Sequence, residues 1–413
     1  MKQKALKSLG QLFLVALLIS ACATYQSNVS SARDSMSAQR HDEAIEAFKK
    51  MYETSNGDRL AYLLEYATAL HQAGRYEESN KAFAIAEKES ELNDYTSVSR
   101  EAGALIVEEG LVQYKVEIFE YLLITVYRAY NYLMLGDYDN AQVMARKLNE
   151  KLNKLSTEMD TDTKKRQASF AAYLAGLLWE AQGDWDNAFV LYSKAHEMAP
   201  EVDVIKRDAA IAAKRSGRET DYERYRKKYP ELEKELNMKN IRGQGEFVFF
   251  FEQGWVARKR PRPENKMLPM MVPVPKSVNS VDLVVDQKKI HSEKVYDLDQ
   301  ISIQTMDAIY KKLVARVLAR QATRIAVRET ARRNDKSEAL QVAALATFIL
   351  DAVETADLRQ WSTLPASFQL ARIYLNPGKH HIEVKGFNSA ETVWQGDVEI
   401  KAGQKKFAVG RAF

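Results

Sequence analysis

The chain has 413 residues, of which 46% are hydrophobic and 28% are charged, a composition typical of a globular protein with two or three domains. Its 60 basic and 56 acidic residues give a net charge of +4, which offers no general electrostatic reason to bind nucleic acid. The single cysteine excludes an intramolecular disulfide, so the fold must be stabilised by packing.

Residues 1–21 have the parts of a secretory signal peptide. Lys2, Lys4 and Lys7 precede an apolar stretch over residues 9–19, which is too short to be a permanent transmembrane helix. Without this segment the chain has 57 basic and 56 acidic residues, a net charge of +1. We therefore expect an exported protein whose mature part carries little net charge.

Residues 19–22, with the sequence Ile-Ser-Ala-Cys, resemble the bacterial lipobox. In that family of signals the peptide is cut before the cysteine, which receives a diacylglyceride, and the new N-terminus receives an acyl chain such as palmitate. The resemblance implies a lipoprotein anchored through Cys22. Ala23 stands where an aspartate would favour the inner membrane, which implies the periplasmic face of the outer membrane. The alternative is an ordinary signal peptide that ends near a cysteine.

Residues 22–37 are mostly small and polar and predict a lipidated tether, and residues 38–240 then show a helical pattern with a recurring phrase. The phrase is a glycine, an aromatic residue two positions later and a small residue three positions after that. Glycine can end a helix in the left-handed conformation, and the small residue lets the next helix approach closely. The copies are Gly74-Arg75-Tyr76, Gly136-Asp137-Tyr138 and Gly183-Asp184-Trp185, with a weaker copy at Gly217 and a half-copy at Asp42-Glu43-Ala44.

These helix–turn–helix units resemble tetratricopeptide repeats, whose period is 34 residues. The glycines are separated by 62, 47 and 34 residues, so the array is irregular, and residues 93–120 are long enough for an additional helix or an insertion. The resemblance implies a concave surface that binds an extended peptide or a helix of a protein partner. Such surfaces rarely carry catalysis.

Residues 241–413 differ in composition and predict an α+β domain. Residues 246–251 predict a buried strand, the prolines over residues 261–275 predict extended chain or an edge strand, and residues 281–285 predict a strand that ends in a turn. Asp299 is the predicted N-cap of a long helix over residues 301–333.

The remaining elements are a helix over residues 337–357 and antiparallel strands over residues 368–413. The helix is apolar on most sides, which favours burial, although a helix that dips into a membrane is an alternative. The last strands resemble small β-sandwich modules of bacterial envelope proteins. Between helix and strands we expect Trp361 to fill the junction and Asp357 to pair with Arg359. The fold class is therefore α+β multidomain, a helical repeat solenoid followed by a mixed domain.

The sequence contains no catalytic motif of a serine hydrolase, a zinc protease or a phosphate-binding loop. His380 and His381 are adjacent in a predicted strand and point to opposite faces, so they cannot readily share a metal. We predict no catalytic residue, no metal site and no cofactor.

One helix carries arginines at strict four-residue spacing, and these form a single basic stripe. They are Arg316, Arg320, Arg324, Arg328 and Arg332. One interpretation is a solvated or salt-bridged face that pairs with acids of the repeat array. The other is a docking face for an anionic envelope partner, such as lipid phosphate, a glycan carboxylate or an acidic protein.

The whole chain resembles an uncharacterised group of Gram-negative outer-membrane lipoproteins with tetratricopeptide-like repeats. The resemblance implies a non-enzymatic periplasmic scaffold that holds an envelope protein, in cell-wall synthesis or envelope maintenance. The alternative is a glycan-binding or export accessory lipoprotein that acts through the C-terminal β module, with peptidoglycan or another anionic glycan as its partner.

Overall fold

The computed structural model describes residues 25–55, 57–100, 114–232, 243–333 and 356–413, and of residues 92–100 the backbone alone. Residues 1–24, including Cys22, and nearly all of the predicted helix over residues 337–357 lie outside this description. The helices of the N-terminal array are α1 (Tyr25–Ser37), α2 (His41–Thr54), α3 (Arg59–Gln72), α4 (Tyr76–Arg100), α5 (Ile118–Leu135), α6 (Tyr138–Lys154), α7 (Asp162–Ala181), α8 (Trp185–Met198), α9 (Asp203–Arg215) and α10 (Glu219–Lys228).

The helices of the array form hairpins, and each predicted glycine lies at the turn between the two helices of a pair. Gly74, Gly136, Gly183 and Gly217 all have a positive φ. At each turn the glycine N–H donates to a carbonyl of the preceding helix, and the next N–H donates to a carbonyl further back, as in Gly136 N to Leu133 O (3.1 Å) and Asp137 N to Tyr132 O (2.9 Å). The helical-repeat prediction is confirmed.

The predicted tether over residues 22–37 is wrong for its described part, because Tyr25–Ser37 is helix α1 of the first hairpin. Val29 and Met36 are fully buried in the core of the array. The turn to α2 has Gln39 at φ 58°, in the place that glycine takes elsewhere. The small and polar composition was misleading because only one narrow face of α1 is apolar.

The C-terminal domain contains two four-stranded sheets and a separate hairpin. Its strands are β1 (Gly245–Gln253), β2 (Arg258–Pro261), β3 (Pro269–Val272), β4 (Val281–Val285), β5 (Lys288–His291), β6 (Glu293–Asp297), β7 (Ser367–Leu375), β8 (Gly378–Gly386), β9 (Thr392–Ile400) and β10 (Lys405–Ala412). The strand order is β10-β1-β7-β6 in one sheet and β5-β4-β8-β9 in the other, and β2 pairs with β3.

The expectation of a wholly antiparallel sheet is wrong at one pairing. β10 runs parallel to β1, with Glu246 opposite Lys405 and Gln253 opposite Ala412, so the first sheet is mixed. The second sheet, which we call the outer sheet, is antiparallel throughout. Parallel pairing requires a crossover, and here β10 reaches the edge of the mixed sheet after the chain has crossed to the outer sheet and back.

The mixed sheet is the middle of three layers. Along β1, Phe247, Phe249 and Phe251 belong to the core between the two sheets. Val248 and Phe250, which alternate with them, belong to the core shared with the helices. Both faces of β1 are therefore buried, which explains its almost continuous apolar sequence, and the array and the C-terminal domain share one core.

The long helix α11 (Leu298–Arg333) begins slightly earlier than predicted. Its first turn is capped by Asp297, whose carboxylate accepts the N–H of Gln300 at 3.0 Å. Asp299, the predicted N-cap, instead accepts the N–H of Ala257 at 2.7 Å and pairs with Lys276 at 2.5 Å. Across the described ranges, no helix combines the length and the hydropathy needed to cross a membrane.

Candidate functional site

The first helices of the hairpins, α3, α5, α7 and α9, face the mixed sheet, and we call this side the inner face of the array. Its aromatic rings pack on rings of the C-terminal domain: Tyr127 on Trp361 (5.5 Å between ring centroids), Tyr130 on Phe250 (4.5 Å) and Phe170 on Phe368 (4.6 Å). The expectation that this surface is open to a partner is therefore wrong. The chain's own C-terminal domain covers it.

Trp361 fills the junction between the two domains, as predicted. Its side chain is fully buried, and its indole N–H donates to Thr68 Oγ1 at 2.8 Å. Its backbone N–H donates to Glu120 at 3.0 Å. The predicted pair of Asp357 and Arg359 is also present, at 2.7 Å.

A buried group of charges joins the inner face to the mixed sheet. Arg372 on β7 contacts Glu180 at 2.6 Å, Asp208 at 2.7 Å and Glu246 at 2.7 Å. Lys405 on β10 pairs with Glu180 at 2.8 Å and also with Glu246. Burial alone would raise the pKa of Glu180, but the nearby charges of Arg372 and Lys405 outweigh it and lower that pKa to about 2.

A second buried carboxylate, Glu65 on α3, holds the chain segment that follows Trp361. It accepts the N–H of Ser362 at 2.7 Å, the hydroxyl of Ser362 at 2.6 Å and the N–H of Thr363 at 2.8 Å. The hydroxyl of Tyr25 donates to it at 2.6 Å. Burial raises the pKa of Glu65, and these hydrogen bonds act in the opposite direction.

The sequence analysis did not identify these buried charges. A signal was present, because Arg372 and Glu65 each interrupt an otherwise apolar run, Leu-Ala-Arg-Ile-Tyr-Leu and Tyr-Leu-Leu-Glu-Tyr-Ala. A lone charge in such a run is paired when it is buried, so it indicates a contact between elements.

The predicted arginine stripe on α11 is not an open face along its whole length. Arg320 and Arg324 are buried, with 2% and 1% of their surface exposed, whereas Arg332 is exposed. Arg316 and Arg328 are half-buried. Arg332 lies 4.0 Å from Glu329 of the same helix.

The second helices of consecutive hairpins carry exposed apolar side chains, which we call the outer face: Ile85 (44% exposed), Val143 (47%) and Val190 (50%). Val143 and Val190 occupy the same place in their hairpins, seven residues after Gly136 and Gly183. The outer face therefore repeats in two consecutive hairpins, and no described residue of the C-terminal domain covers it.

The outer sheet carries an exposed ring with charged neighbours. Phe387 is 45% exposed, and the ring of His291 lies 4.7 Å from it, centroid to centroid. The amino group of Lys289 lies 5.9 Å from the same ring. Asp282 pairs with Lys289 at 2.7 Å and with His291 at 2.9 Å, so the cluster is held in place.

In the described part of the chain, no group of three or more histidine, cysteine or acidic side chains could hold a metal ion. His380 and His381 contact different acids, Asp286 and Asp397, each at 2.8 Å. Cys22 lies outside the described residues, so its lipidation stays a prediction.

No family model matches the chain, and no curated protein matches it in sequence. Solved helical-repeat structures match about half of it. MamA from Desulfovibrio magneticus RS-1 shares 14% identity over 50% of this chain and 93% of its own, with a TM-score of 0.32. A Podosopora anserina putative kinesin light chain with TPR-like repeats shares 13% identity over 52% of this chain and 97% of its own, with a TM-score of 0.34. A tetratricopeptide repeat protein from Parabacteroides merdae shares 18% identity over 52% of this chain and 68% of its own, with a TM-score of 0.33. At these scores the fold assignment rests on this chain's own helices and strands.

Proposed function

We propose that the chain is a non-enzymatic adaptor, lipid-anchored through Cys22 at the periplasmic face of the outer membrane, that holds an envelope protein on its helical array. The observation that carries this proposal is the outer face, where the exposed side chains of Val143 and Val190 recur at one place in two consecutive hairpins. Repeat arrays bind partners through surfaces that run across several repeats. The envelope process that it serves would be cell-wall synthesis or envelope maintenance.

The partner binds on the outer face because the inner face is already occupied. A peptide on the inner face would have to displace Trp361 and Phe368, both almost fully buried, and break the ion pairs of Arg372. Fully burying one large apolar side chain is worth about 1.5–3 kcal/mol, so this displacement is too costly for an ordinary binding site. The outer face carries no such penalty.

Affinity purification of the tagged chain from detergent-solubilised envelopes tests the adaptor. The variant Val143→Glu/Val190→Glu places two charges in the outer face, and we expect it to lose the partner that the unmodified chain retains. The matched control is Leu318→Glu/Ile325→Glu on α11, whose apolar side chains are somewhat more exposed, at 59% and 61%. Retention of the same partner by the outer-face variant would contradict the proposed binding surface.

The anchoring is tested separately by mass spectrometry of the N-terminal peptide after expression in a Gram-negative host. We expect a mature chain that begins at an acylated Cys22 and fractionates with the outer membrane. The variant Cys22→Ser should keep its signal segment. A mature chain that begins, unmodified, at another residue would contradict the anchoring. It would not bear on the proposal that the outer face binds a partner.

A second candidate function is glycan binding by the outer sheet, favoured by the cluster at Phe387. Sugars stack on exposed aromatic rings, and His291 and Lys289 beside the ring would add polar contacts. Sedimentation with purified sacculi tests it, and Phe387→Ala should then abolish pelleting while leaving the partner of the outer face bound.

A further inference from the structure

The hairpin of β2 and β3 has one face that combines cations with apolar side chains. Arg258 is opposite Val272, and Arg260 is opposite Met270. Residues opposite each other in an antiparallel pair point to the same side, so these four side chains share one face. We call them the basic face of the hairpin.

The two arginines of the basic face have no acidic neighbour of their own among the described residues. The nearest ion pair of the hairpin joins Arg262 to Asp307 at 3.9 Å. Nε of Arg258 is buried without a hydrogen-bond partner. Burial and the adjacent charge of Arg260 lower the pKa of Arg258, whereas the pKa of Arg359, which pairs with Asp357, is raised. Within the described ranges the basic face therefore lacks a counter-charge, which an anion would supply.

The hairpin lies beside the start of α1. The side-chain oxygen of Gln360 accepts the N–H of Lys259 on β2 at 2.5 Å and the amide of Gln26 on α1 at 3.4 Å. Gln26 also donates to the carbonyl of Leu358 at 2.9 Å. Cys22 is four positions before Gln26, and an extended chain covers about 3.5 Å per residue, so the chain between their Cα atoms can span at most about 14 Å.

We propose that the basic face of the hairpin rests on the anionic phospholipid surface in which the acylated Cys22 is anchored. This membrane contact rests on the proposed function, because the anchor at Cys22 is what identifies the surface as a membrane. Cations near an anionic lipid surface are attracted to the headgroups, and apolar side chains beside them enter the interface. A lipid anchor alone leaves the rest of the chain free to rotate. The second contact fixes the orientation of the chain on the membrane surface.

Vesicle flotation tests this contact without the acyl anchor. The full chain with Cys22→Ser is mixed with vesicles of phosphatidylcholine alone or with roughly 30% phosphatidylglycerol. The retained signal segment binds both kinds of vesicle, and its Lys2, Lys4 and Lys7 also favour the anionic ones, so the contribution of the basic face is the part of the difference that its arginines carry. We expect stronger binding to the anionic vesicles, and we expect that gain to fall when salt is raised from about 0.05 to about 0.5 M.

The variant Arg258→Glu/Arg260→Glu should remove the part of the gain that the basic face contributes. Each basic residue near an anionic surface is worth about fivefold in partition, so we expect a loss of at least about 25-fold. Arg260→Glu alone, at an exposed position, should lose at least about fivefold and serves if the double variant fails to fold. The control Lys288→Glu/Lys401→Glu removes two exposed cations of the outer sheet region and should keep the gain.

Three outcomes overturn the proposal: equal binding to neutral and anionic vesicles, unchanged anionic binding by Arg260→Glu, or arginine-dependent pelleting with sacculi in place of vesicle binding. The last outcome would assign the basic face to an anionic glycan. Failure of the proposed membrane contact can be distinguished from failure of the anchoring at Cys22, because the vesicle assay contains no acylated chain. If mass spectrometry shows that Cys22 is not acylated but the chain still binds anionic vesicles selectively, the contact of the basic face is supported and the lipid anchor is contradicted.

Discussion

The guanidinium of Arg372 on β7 lies 2.6 Å from the carboxylate of Glu180 on α7; the Glu180 side chain is buried and that of Arg372 is 12% exposed. The same guanidinium reaches Asp208 on α9, so one residue of the mixed sheet is bonded to two helices of the array. Because these contacts close the inner face, the array and the C-terminal domain are expected to unfold together.

Replacing Arg372 with alanine should destabilise the whole chain. The substitution leaves Glu180, Asp208 and Glu246 buried without one of their cations, and removing one partner of a buried pair costs about 3–5 kcal/mol. Chemical denaturation followed by circular dichroism measures it. Arg75→Ala, which removes an exposed pair with Glu78, is the control and should change stability by less than about 1 kcal/mol. Equal effects of the two substitutions would contradict the closed inner face.

Stability should fall in acid because of Glu180. Its pKa is lowered from the ordinary value of 4.5 to about 2 in the folded chain, so its contribution is present above pH 4.5 and is lost as the pH falls toward 2. The variant Glu180→Gln should be less stable than the unmodified chain by about 3 kcal/mol at pH 7. The difference should disappear near pH 2. A difference that does not change with pH would show that charge is not its source.

Gly176 on α7 is the close-approach point of helices α7 and α8. A Cβ atom at this position would lie 2.7 Å from the ring of Tyr192, which is fully buried. Gly176→Ala should therefore destabilise the chain by about 1–3 kcal/mol through overpacking. Gly57→Ala, where a Cβ would meet nothing within 4 Å, is the matched control. Thermal unfolding compares the two, and equal midpoints would show that the ring of Tyr192 can move aside.

Glu65→Gln should weaken the junction of the two domains. The carboxylate accepts four hydrogen bonds. The amide of glutamine has an NH2 group in place of one carboxylate oxygen, so at least one of the four N–H or O–H donors would lose its acceptor. We expect a loss of about 1–3 kcal/mol and faster amide exchange of Ser362 and Thr363. Glu46→Gln, on the exposed side of α2, should leave both quantities unchanged. Unchanged exchange in Glu65→Gln would mean that the segment is held by other contacts.

Much of the fold could be predicted from the sequence, because its signals are local. The turns at Gly74, Gly136 and Gly183 follow from the need for a positive φ, and the buried strand β1 follows from its apolar run. The hairpin formed by α1 and α2 also had a signal, since Ala44 follows Gln39 at the spacing by which Ser79 follows Gly74. Gln39 concealed it, because glutamine rarely adopts a positive φ.

The relation between the two domains could not be predicted. The contact of Arg372 with Glu180 joins residues 192 positions apart, and no local periodicity encodes such a pairing. The parallel pairing of β10 with β1 was missed for the same reason, because alternation along a strand does not fix the direction of its neighbour. The occupied inner face, which redirects the proposed partner to the outer face, follows only from these long-range contacts.

In-cell photo-crosslinking from Val190 tests the central claim most directly, that the array binds its partner through the outer face. A photoreactive residue replaces Val190 in one strain and Phe387 of the outer sheet in another, and mass spectrometry identifies what is captured. We predict one envelope protein from Val190 and its loss when Val143→Glu is added to the same chain. Capture of nothing from Val190, with glycan or another partner taken at Phe387, would contradict the account and move the function to the outer sheet.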